Sequence, residues 1–481
     1  MNFRLITKNI GLALLVDAGF MFVSMLVSIL YGFDSSFSPL LLSGMLTLMV
    51  GVLPIVFVGK GQNRITTREG FIILFFAWLL SCVFGLLPYA LWGGPFSLEN
   101  AWFESVSGFT ATGATILGDI ESLPHGLLFW RSSTHFIGGL GVVVFMMMIL
   151  PSSGTVKLKM RRIEISDMSA GEYNFRSNKV VRVVLTVYIS MMVICTLLFM
   201  VAGMPIFDAV THAFSVVATG GFSPRNTSIG AYGSHWIELI AVVFMLASSL
   251  HYGLLYSSIA GRNLNALRNP ISRFFFTTIG LGTLFMTAGL LLTRTITNPL
   301  EAGWQSLFNV VSICTSTGLA TVDTSVWPAF CILLLLYFSI QGGCSGSTTG
   351  GLKADRIWVL TRAVKAQIVR TIHPNAVIRV KSGSNVIDSE QVNSIAMYAI
   401  LYIAILFVCA IIYAACGMTL VDAFTGSCAM VGNVGPAFGS VGSMSNYGAV
   451  PMLAKIIMGL EMIVGRLGLY AAFGIFAMKK V

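Results

Sequence analysis

Residues 100–113 read NAWFESVSGFTATG, and three later stretches of the chain repeat this pattern. Each stretch begins with a polar residue, continues as a short amphipathic run and ends on a strip of glycine, threonine or serine. The final glycines recur at intervals of roughly one hundred residues, which is typical of an internally repeated architecture. The other three stretches are DAVTHAFSVVATGG at 208–221, QSLFNVVSICTSTG at 305–318 and DAFTGSCAMVGNVG at 422–435.

Composition places the repeats in a membrane. The 481 residues are 56% hydrophobic and only 10% charged, and the mean hydropathy is +0.85. Soluble domains carry roughly 25% charged residues, so soluble enzymes, nucleic-acid-binding modules and disordered proteins are excluded. At about 20 residues for each crossing, the chain has room for roughly ten membrane-spanning helices. We therefore predict an all-α polytopic membrane protein.

Basic residues predict the orientation of the chain. All but five of the 29 lysines and arginines precede the first span or follow an even-numbered one. The positive-inside rule then places both termini in the cytoplasm. Apolar segments of spanning length are predicted at about 11–31, 39–58, 71–92, 129–150, 181–203, 236–259, 274–293, 328–349, 394–416 and 450–478.

The repeats divide the chain into five parts. Each repeat is predicted to contain a helix, a re-entrant segment and a second helix, and one helix pair precedes all four repeats. The predicted parts are the N-terminal helix pair at 1–65, pore repeat 1 at 66–165, repeat 2 at 166–268, repeat 3 with a cytoplasmic segment at 269–390, and repeat 4 at 391–481.

The re-entrant segments predict a pore. Each is expected to be a short helix that opens on a polar capping residue, namely Asn100, Asp208, Gln305 or Asp422. Irregular backbone at membrane depth must line a cavity, because lipid cannot satisfy its carbonyl groups. Four such strips around a pseudo-fourfold axis can turn carbonyl rings toward a monovalent cation such as potassium. The predicted filter residues are Ala111, Thr112, Gly113, Thr219, Gly220, Gly221, Ser316, Thr317, Gly318, Asn433, Val434 and Gly435.

A single strip is also compatible with a plain turn between helices, but four equivalent strips favour the pore. The strips, the extra helix pair and the tail of the eighth span resemble the bacterial Trk potassium-uptake family, in its TrkH/TrkG type of membrane subunit. KtrB-type subunits of the same superfamily are similar but usually lack the first two helices. The resemblance implies a channel-like potassium translocator of the bacterial inner membrane, with potassium held by filter backbone carbonyls.

In the wider superfamily, glycine at all four filter positions accompanies potassium selectivity, and serine at the first accompanies sodium permeability. This chain has Gly113, Gly221, Gly318 and Gly435 there. The fourth strip is the most divergent, since it contains Asn433 and is followed by Pro436.

A glycine-rich stretch, GGCSGSTTGG at 342–351, ends the eighth predicted span. Glycine at this density disfavours a helix, so we predict a flexible intramembrane loop beneath the filter. The alternative is a close-packed helix crossing. The resemblance implies a gating loop at this place, with candidate residues Gly342, Gly343, Gly346, Gly350 and Gly351.

Arg466 lies inside the last predicted span, where a charge is costly and normally faces the protein interior or water. Glu461, five residues earlier, is poorly placed for an intrahelical pair. The resemblance implies an arginine that projects into the permeation path below the filter and opposes cation passage. The alternative is an interhelical ion pair.

Other polar residues of the spans are predicted to be structural. Asp17 is assigned to packing or to the lipid interface, and His212 and His251 to packing. The eight cysteines form no CxxC pair, so neither a disulfide framework nor a zinc site is expected.

The resemblance also implies a homodimer and a cytosolic, nucleotide-binding regulatory subunit of the TrkA type. The basic segments 152–180 and 352–390 are the candidate docking surfaces. The nucleotide is expected on that partner, because this chain has no GxGxxG motif in a βαβ unit and no Walker loop. No cofactor and no nucleic-acid partner is expected for the chain itself; its surroundings are membrane lipid.

Three functions follow from the sequence. The first is potassium translocation, gated by the intramembrane loop and the cytosolic subunit. The second is sodium- or proton-coupled potassium symport, which the sequence does not separate from channel-like flux. The third, a polytopic membrane enzyme, requires convergent catalytic groups that six scattered histidines do not supply.

Overall fold

The computed structural model describes residues 2–57, 66–148, 177–375, 378–382 and 385–477. Within these residues, six helical segments are long and apolar enough to cross a membrane. They are Phe3–Leu30, Phe37–Phe57, Arg68–Trp92, Arg182–Val201, Pro270–Leu292 and Ser389–Ala415. They agree with the first, second, third, fifth, seventh and ninth predicted spans. A further helix, His125–Met148, covers most of the fourth.

Three predicted spans are not continuous helices. The sixth consists of His235–Ser248 and Tyr252–Ala260, which meet at an angle of 103°. The eighth is helical only over Ala329–Gln341. The tenth is divided into Met452–Leu467 and Leu469–Ala477. The last two breaks coincide with Gly342 and Gly468, whose φ angles of 65° and 84° do not continue a right-handed helix.

Four short helices lie between these spans and form the re-entrant segments. We call them pore helices 1 to 4, and they are Leu98–Phe109, Ile206–Ala218, Pro299–Cys314 and Leu420–Gly432. The predicted capping residues are wrong, because each helix begins earlier and contains its residue. The N-cap side chain is Asn298 in pore helix 3 and Thr419 in pore helix 4, where the side-chain oxygen accepts a hydrogen bond from a backbone amide of the first turn.

The N-terminal helix pair packs on the pore repeats through a buried polar contact. Asp17 is 1% exposed, and its Oδ2 accepts a hydrogen bond of 2.6 Å from the Ser81 hydroxyl in the third span. Of the two predicted settings for Asp17, the structure therefore selects packing.

Two large apolar clusters surround the re-entrant segments. One consists mainly of residues from repeats 2 and 3, including Phe275 and Phe308. The other joins repeats 1 and 4, including Phe103 and Met458. Close packing of this kind is what holds membrane helices together, since lipid is as apolar as the side chains.

The segment after the glycine-rich stretch contains one helix and a small hairpin. The helix is Ala354–Ile372, and the strands Lys381–Ser382 and Asn385–Val386 pair antiparallel. The prediction that 352–390 is partly helical is confirmed. The short helices Asn265–Arg268, Ser228–Tyr232, Thr324–Val326 and Gly439–Val441 occur in other connections, the last three as 3-10 turns.

Candidate ion pathway

The four glycine strips have the same backbone conformation. The residue two positions before each final glycine has a left-handed φ, of 48° at Ala111, 56° at Thr219, 51° at Ser316 and 50° at Asn433. Non-glycine residues rarely adopt this region. The glycines themselves have φ angles of 83°, 86°, 74° and 90°, in the order Gly113, Gly221, Gly318 and Gly435.

The same hydrogen bond fixes each strip to its pore helix. In repeat 1 the Thr112 amide donates to the Ser107 carbonyl at 2.9 Å, and the equivalent amides in the other repeats do the same at 2.8–2.9 Å. This bond engages the amide of the residue that precedes the glycine. The equivalent pairs are Gly220 with Ser215, Thr317 with Ser312, and Val434 with Ala429.

The strips meet one another in a closed ring. Each final glycine lies so close to the next strip that a side chain would overlap a backbone carbonyl there. A Cβ atom at Gly113 would overlap the Gly220 oxygen, one at Gly221 the Thr317 oxygen, one at Gly318 the Val434 oxygen, and one at Gly435 the Thr112 oxygen. The contacts run from repeat 1 to 2, 2 to 3, 3 to 4 and 4 back to 1. Eight of the twelve predicted filter residues make these contacts, and the other four, Ala111, Thr219, Ser316 and Asn433, directly precede them in the strips. The four glycines line a common cavity on one side of the ring.

Serine side chains of two pore helices donate hydrogen bonds to the residues that directly follow the strips. The Ser312 hydroxyl donates to the Leu319 carbonyl at 2.6 Å, and the Ser215 hydroxyl donates to the Phe222 carbonyl. The divergent Asn433 has a specific role here, since its Nδ2 donates to Thr112 Oγ1 at 3.0 Å. This bond joins the fourth strip to the first.

Acidic residues of two pore helices fasten the chain that follows the filter. Asp208 accepts hydrogen bonds from Tyr232 at 2.6 Å and forms an ion pair with Arg225 at 2.8 Å. Asp422 accepts from the Ser440 amide at 2.8 Å and from its hydroxyl at 2.9 Å. These two residues were predicted as helix caps, and the structure instead places them as anchors for the loops that follow the strips.

A buried ion pair that sequence reasoning missed lies beside the first strip. Arg131 Nε contacts Glu104 Oε1 at 2.6 Å, and the two side chains are 2% and 0% exposed. The Arg131 guanidinium also donates to the Ser223 carbonyl at 3.0 Å and lies over the Phe222 ring at 3.5 Å. The available signal was an arginine inside the fourth apolar span, which normally marks a paired interior group.

We expect Glu104→Gln to destabilise the protein strongly. The substitution leaves the Arg131 charge buried without a counter-charge, and such losses cost about 3–5 kcal/mol. The matched control is Glu121→Gln, because Glu121 forms an ion pair with Arg225 at 3.7 Å with both side chains about two-fifths exposed. Exposed pairs contribute about 0–1 kcal/mol. Thermal unfolding in detergent measures both variants, and equal shifts in Tm would contradict this role of Glu104.

The segment 342–353, which contains the glycine-rich stretch, lies against the strips of repeats 2, 3 and 4 and is not helical. We call it the gate loop. The Gly350 amide donates to the Ser316 hydroxyl at 2.7 Å, and Thr348 Oγ1 lies 3.3 Å from Thr219 Oγ1. A Cβ at Gly350 would overlap the Gly432 carbonyl of the fourth repeat. The helix-crossing alternative does not hold, because the preceding helix ends at Gln341 and the next begins at Ala354.

Arg466 reaches the gate loop from the last repeat. Its side chain is 4% exposed, and Nη1 donates to the Thr348 carbonyl at 2.5 Å. No carboxylate lies within ion-pair distance of Arg466 among the residues that the structure describes. Glu461 instead accepts hydrogen bonds from Tyr413 at 2.5 Å and Ser427 at 2.6 Å. The described contacts therefore do not support the ion-pair alternative for Arg466.

The remaining polar candidates are structural in the described part of the chain. His212 contacts the Asp208 carbonyl and the Ser223 hydroxyl, and His251 caps the helix Tyr252–Ala260. The described cysteines are free thiols. Within the described ranges, no group of three or more His, Cys, Asp or Glu residues is arranged to hold a metal ion.

Of the two predicted docking surfaces, only 352–390 lies mainly within the described residues. Most of 152–180 lies outside the described residues, and its last part begins the helix Ser177–Val201. The segment 352–390 is described except for residues 376–377 and 383–384.

Apolar spanning helices, four re-entrant segments and a closed ring of glycine strips define a polytopic membrane protein of the ion-transport class. A sequence model of the TrkH family, described as cation transport protein, matches residues 39–480. The chain belongs to this family, as the resemblance predicted.

Individual relatives agree with this assignment over nearly the whole chain. The Trk system potassium uptake protein TrkH of Halomonas elongata is 33% identical, covering 99% of this chain and 98% of the relative. TrkH of Escherichia coli strain K12 is 32% identical, with 99% of both chains covered. The crystal structure of the potassium transporter TrkH from Vibrio parahaemolyticus superposes with a TM-score of 0.90 at 31% identity, covering 100% of this chain and 99% of that one. The predicted fold, four pore repeats plus an N-terminal helix pair, is confirmed.

Proposed function

We propose that this chain carries potassium ions across the bacterial inner membrane through the ring formed by its four strips. The observation that supports this most is the cyclic contact of the four final glycines, each against a carbonyl group of the next strip. Only a common axis gives such an order to four segments so far apart in the chain. Relatives over its full length are named as potassium uptake proteins.

The chemistry of the ring suits a monovalent cation. Carbonyl oxygens replace the hydration shell of potassium without adding a full negative charge, so the ion binds and still leaves. The pore helices end at the strips, and the negative ends of their dipoles favour a cation at the axis. The twelve filter residues named from the sequence are our candidates for this filter.

The gate loop and Arg466 are our candidates for the barrier beneath the filter. The loop contacts strips 2, 3 and 4, and Arg466 binds its Thr348 carbonyl. A cation leaving the filter would meet both the loop backbone and the guanidinium charge. We infer that conduction requires the loop to move aside and Arg466 to withdraw with it.

Potassium uptake in a host that lacks its own potassium transporters tests the proposed function. Expression of this chain should restore growth at low potassium. It should also restore rubidium uptake, both with and without a co-expressed regulatory subunit. Collapsing the sodium or the proton gradient separates coupled symport from channel-like flux. A correctly inserted protein that restores neither growth nor uptake under any of these conditions would refute the proposal.

Shortening the gate loop should raise basal flux. Deleting two or three residues within 345–350 removes contacts such as the Gly350–Ser316 hydrogen bond and opens the space below the ring. We expect rubidium flux to rise severalfold and to depend less on a regulatory subunit. Flux for each folded molecule is measured in proteoliposomes, and wild-type flux from the shortened protein would show that the loop does not obstruct the path.

We further propose a homodimer with both termini in the cytoplasm, working with a cytosolic nucleotide-binding subunit of the TrkA type. The basic residues of 352–390 support a cytoplasmic position for that segment. Its helix Ala354–Ile372 follows the gate loop directly, so a partner bound there has a short route to the gate. Crosslinking from Arg362, on the exposed side of this helix, to a co-purified subunit would test the docking site.

A further inference from the structure

We infer that the gate loop and Arg466 enclose a binding site for one small inorganic anion, of the size of chloride. The gate loop borders a cavity of about 50 Å³ on the side that faces the last repeat. A single buried water needs roughly 10–15 Å³ of such space, so the cavity has room for a halide ion. Gluconate, an organic anion several times the size of chloride, is the contrasting probe.

The cavity wall carries positive charge without an acidic residue. Lys353, Arg356 and Arg466 all line it, and its lining contains neither aspartate nor glutamate. Arg356 lies over the Tyr398 ring at 3.7 Å. The acidic residue of the same segment, Asp355, accepts hydrogen bonds from the Ser345 amide at 3.1 Å and the Ser345 hydroxyl at 2.7 Å.

Arg466 supplies the observation that points to a ligand. Its Nε and Nη2 atoms are fully buried and have no hydrogen-bond partner among the described residues, although Nη1 binds Thr348. Burying a charged donor without a hydrogen-bond partner costs several times more folding free energy than burying one that has a partner. An anion in the adjoining cavity would satisfy these donors with charge-assisted hydrogen bonds.

Lys353 binds the gate loop next to the residue that Arg466 binds. Its Nζ donates to the Thr349 carbonyl and to Thr349 Oγ1, the latter at 3.2 Å, next to the carbonyl that Arg466 binds. Two basic side chains are therefore held at consecutive residues of the gate loop. Their mutual repulsion falls when an anion lies between them.

The consequence for transport rests on the proposed function. Beneath a cation filter, an anion at this site would neutralise part of the charge that opposes potassium. Chloride would then act as an activator of flux, whereas gluconate would not.

Bromide diffraction tests the site itself. Crystals of the full-length wild-type protein grown in sodium bromide should show an anomalous peak in the cavity, within hydrogen-bond distance of Arg466 Nη2. Crystals of Lys353→Gln should show at least a tenfold weaker affinity in a bromide titration. The control Lys381→Gln removes an exposed positive charge of the hairpin and should leave the peak unchanged. Density without anomalous signal, as water gives, would overturn the site.

Tracer exchange tests the consequence. Rubidium exchange with equal ion concentrations on both sides moves no net charge and needs no counter-ion. Wild-type exchange should be severalfold faster in chloride or bromide than in gluconate, and Lys353→Gln should lose this difference. Equal rates in a protein that binds bromide would overturn the activation but leave the site. A protein that binds bromide and transports no rubidium would count against the proposed function alone.

Discussion

Arg466→Ala is expected to raise rubidium flux at least severalfold for each folded molecule. A unit charge interacts with a cation by about 4 kcal/mol at 4 Å under an effective dielectric constant of 20. Each 1.36 kcal/mol corresponds to roughly tenfold in rate, so complete removal of this barrier sets an upper limit of about a thousandfold. Pore water and side-chain movement keep the real change below that limit.

The structure adds a second reason for this increase. Arg466 also holds the Thr348 carbonyl, so its removal loosens the gate loop. Arg466→Lys is the matched control because it keeps the charge, and we expect it to keep most of the barrier. Rubidium uptake in proteoliposomes, normalised to monodisperse protein, measures the three proteins. A lower flux for Arg466→Ala than for the wild type would exclude the barrier role.

Gly113→Ser is expected to lower the rubidium-to-sodium permeability ratio by about tenfold, which corresponds to a relative shift of roughly 1.4 kcal/mol between the two ions. Gly113 has a φ of 83°, and a Cβ atom there would overlap the Gly220 carbonyl oxygen. The neighbouring strip must shift to accept serine, and its carbonyl then no longer fits potassium. The ring as a whole is supported by the pore helices, so the protein should still fold.

Gly118→Ser is the matched control for this substitution. Gly118 lines the same cavity as the four strip glycines, but a Cβ atom there would meet only Asn446 Nδ2 at 3.6 Å, an ordinary contact. We expect its permeability ratio to equal that of the wild type. An unchanged ratio in well-expressed Gly113→Ser would remove Gly113 from the filter.

The sequence was sufficient to predict the pore helices and strips, because the four glycines recur with the same pattern before them. It was not sufficient to predict the order in which the strips meet. That order depends on contacts such as Gly435 with Thr112, which are more than three hundred residues apart. Only the folded chain brings them together.

The breaks in the spans show the limit of hydropathy. The sixth span was predicted as one segment because 236–259 is largely apolar and of spanning length. The structure bends it at residues that bind the gate loop, where the Cys344 amide donates to the Ser249 carbonyl at 2.9 Å and the Tyr252 amide to the Gly346 carbonyl at 3.1 Å. These long-range hydrogen bonds replace helical ones, and no local sequence pattern predicts them.

Arg466 shows, for a single residue, which features the sequence predicts and which depend on long-range contacts. Its unusual place in an apolar span makes it a functional candidate, and its register with Glu461 is poor for an intrahelical pair. Its partner, the Thr348 carbonyl, lies 118 positions earlier on a loop without regular structure. Every residue has a backbone carbonyl group, so the residue types in the sequence do not identify this acceptor.

Rubidium anomalous scattering tests the central claim most directly. Crystals of the wild-type protein soaked in rubidium chloride would show where the ion binds. The proposed filter predicts peaks on the axis of the ring, beside the carbonyl groups of Thr112, Gly220, Thr317 and Val434. Rubidium bound elsewhere, with no density on this axis, would contradict the assignment of the ring as the ion pathway.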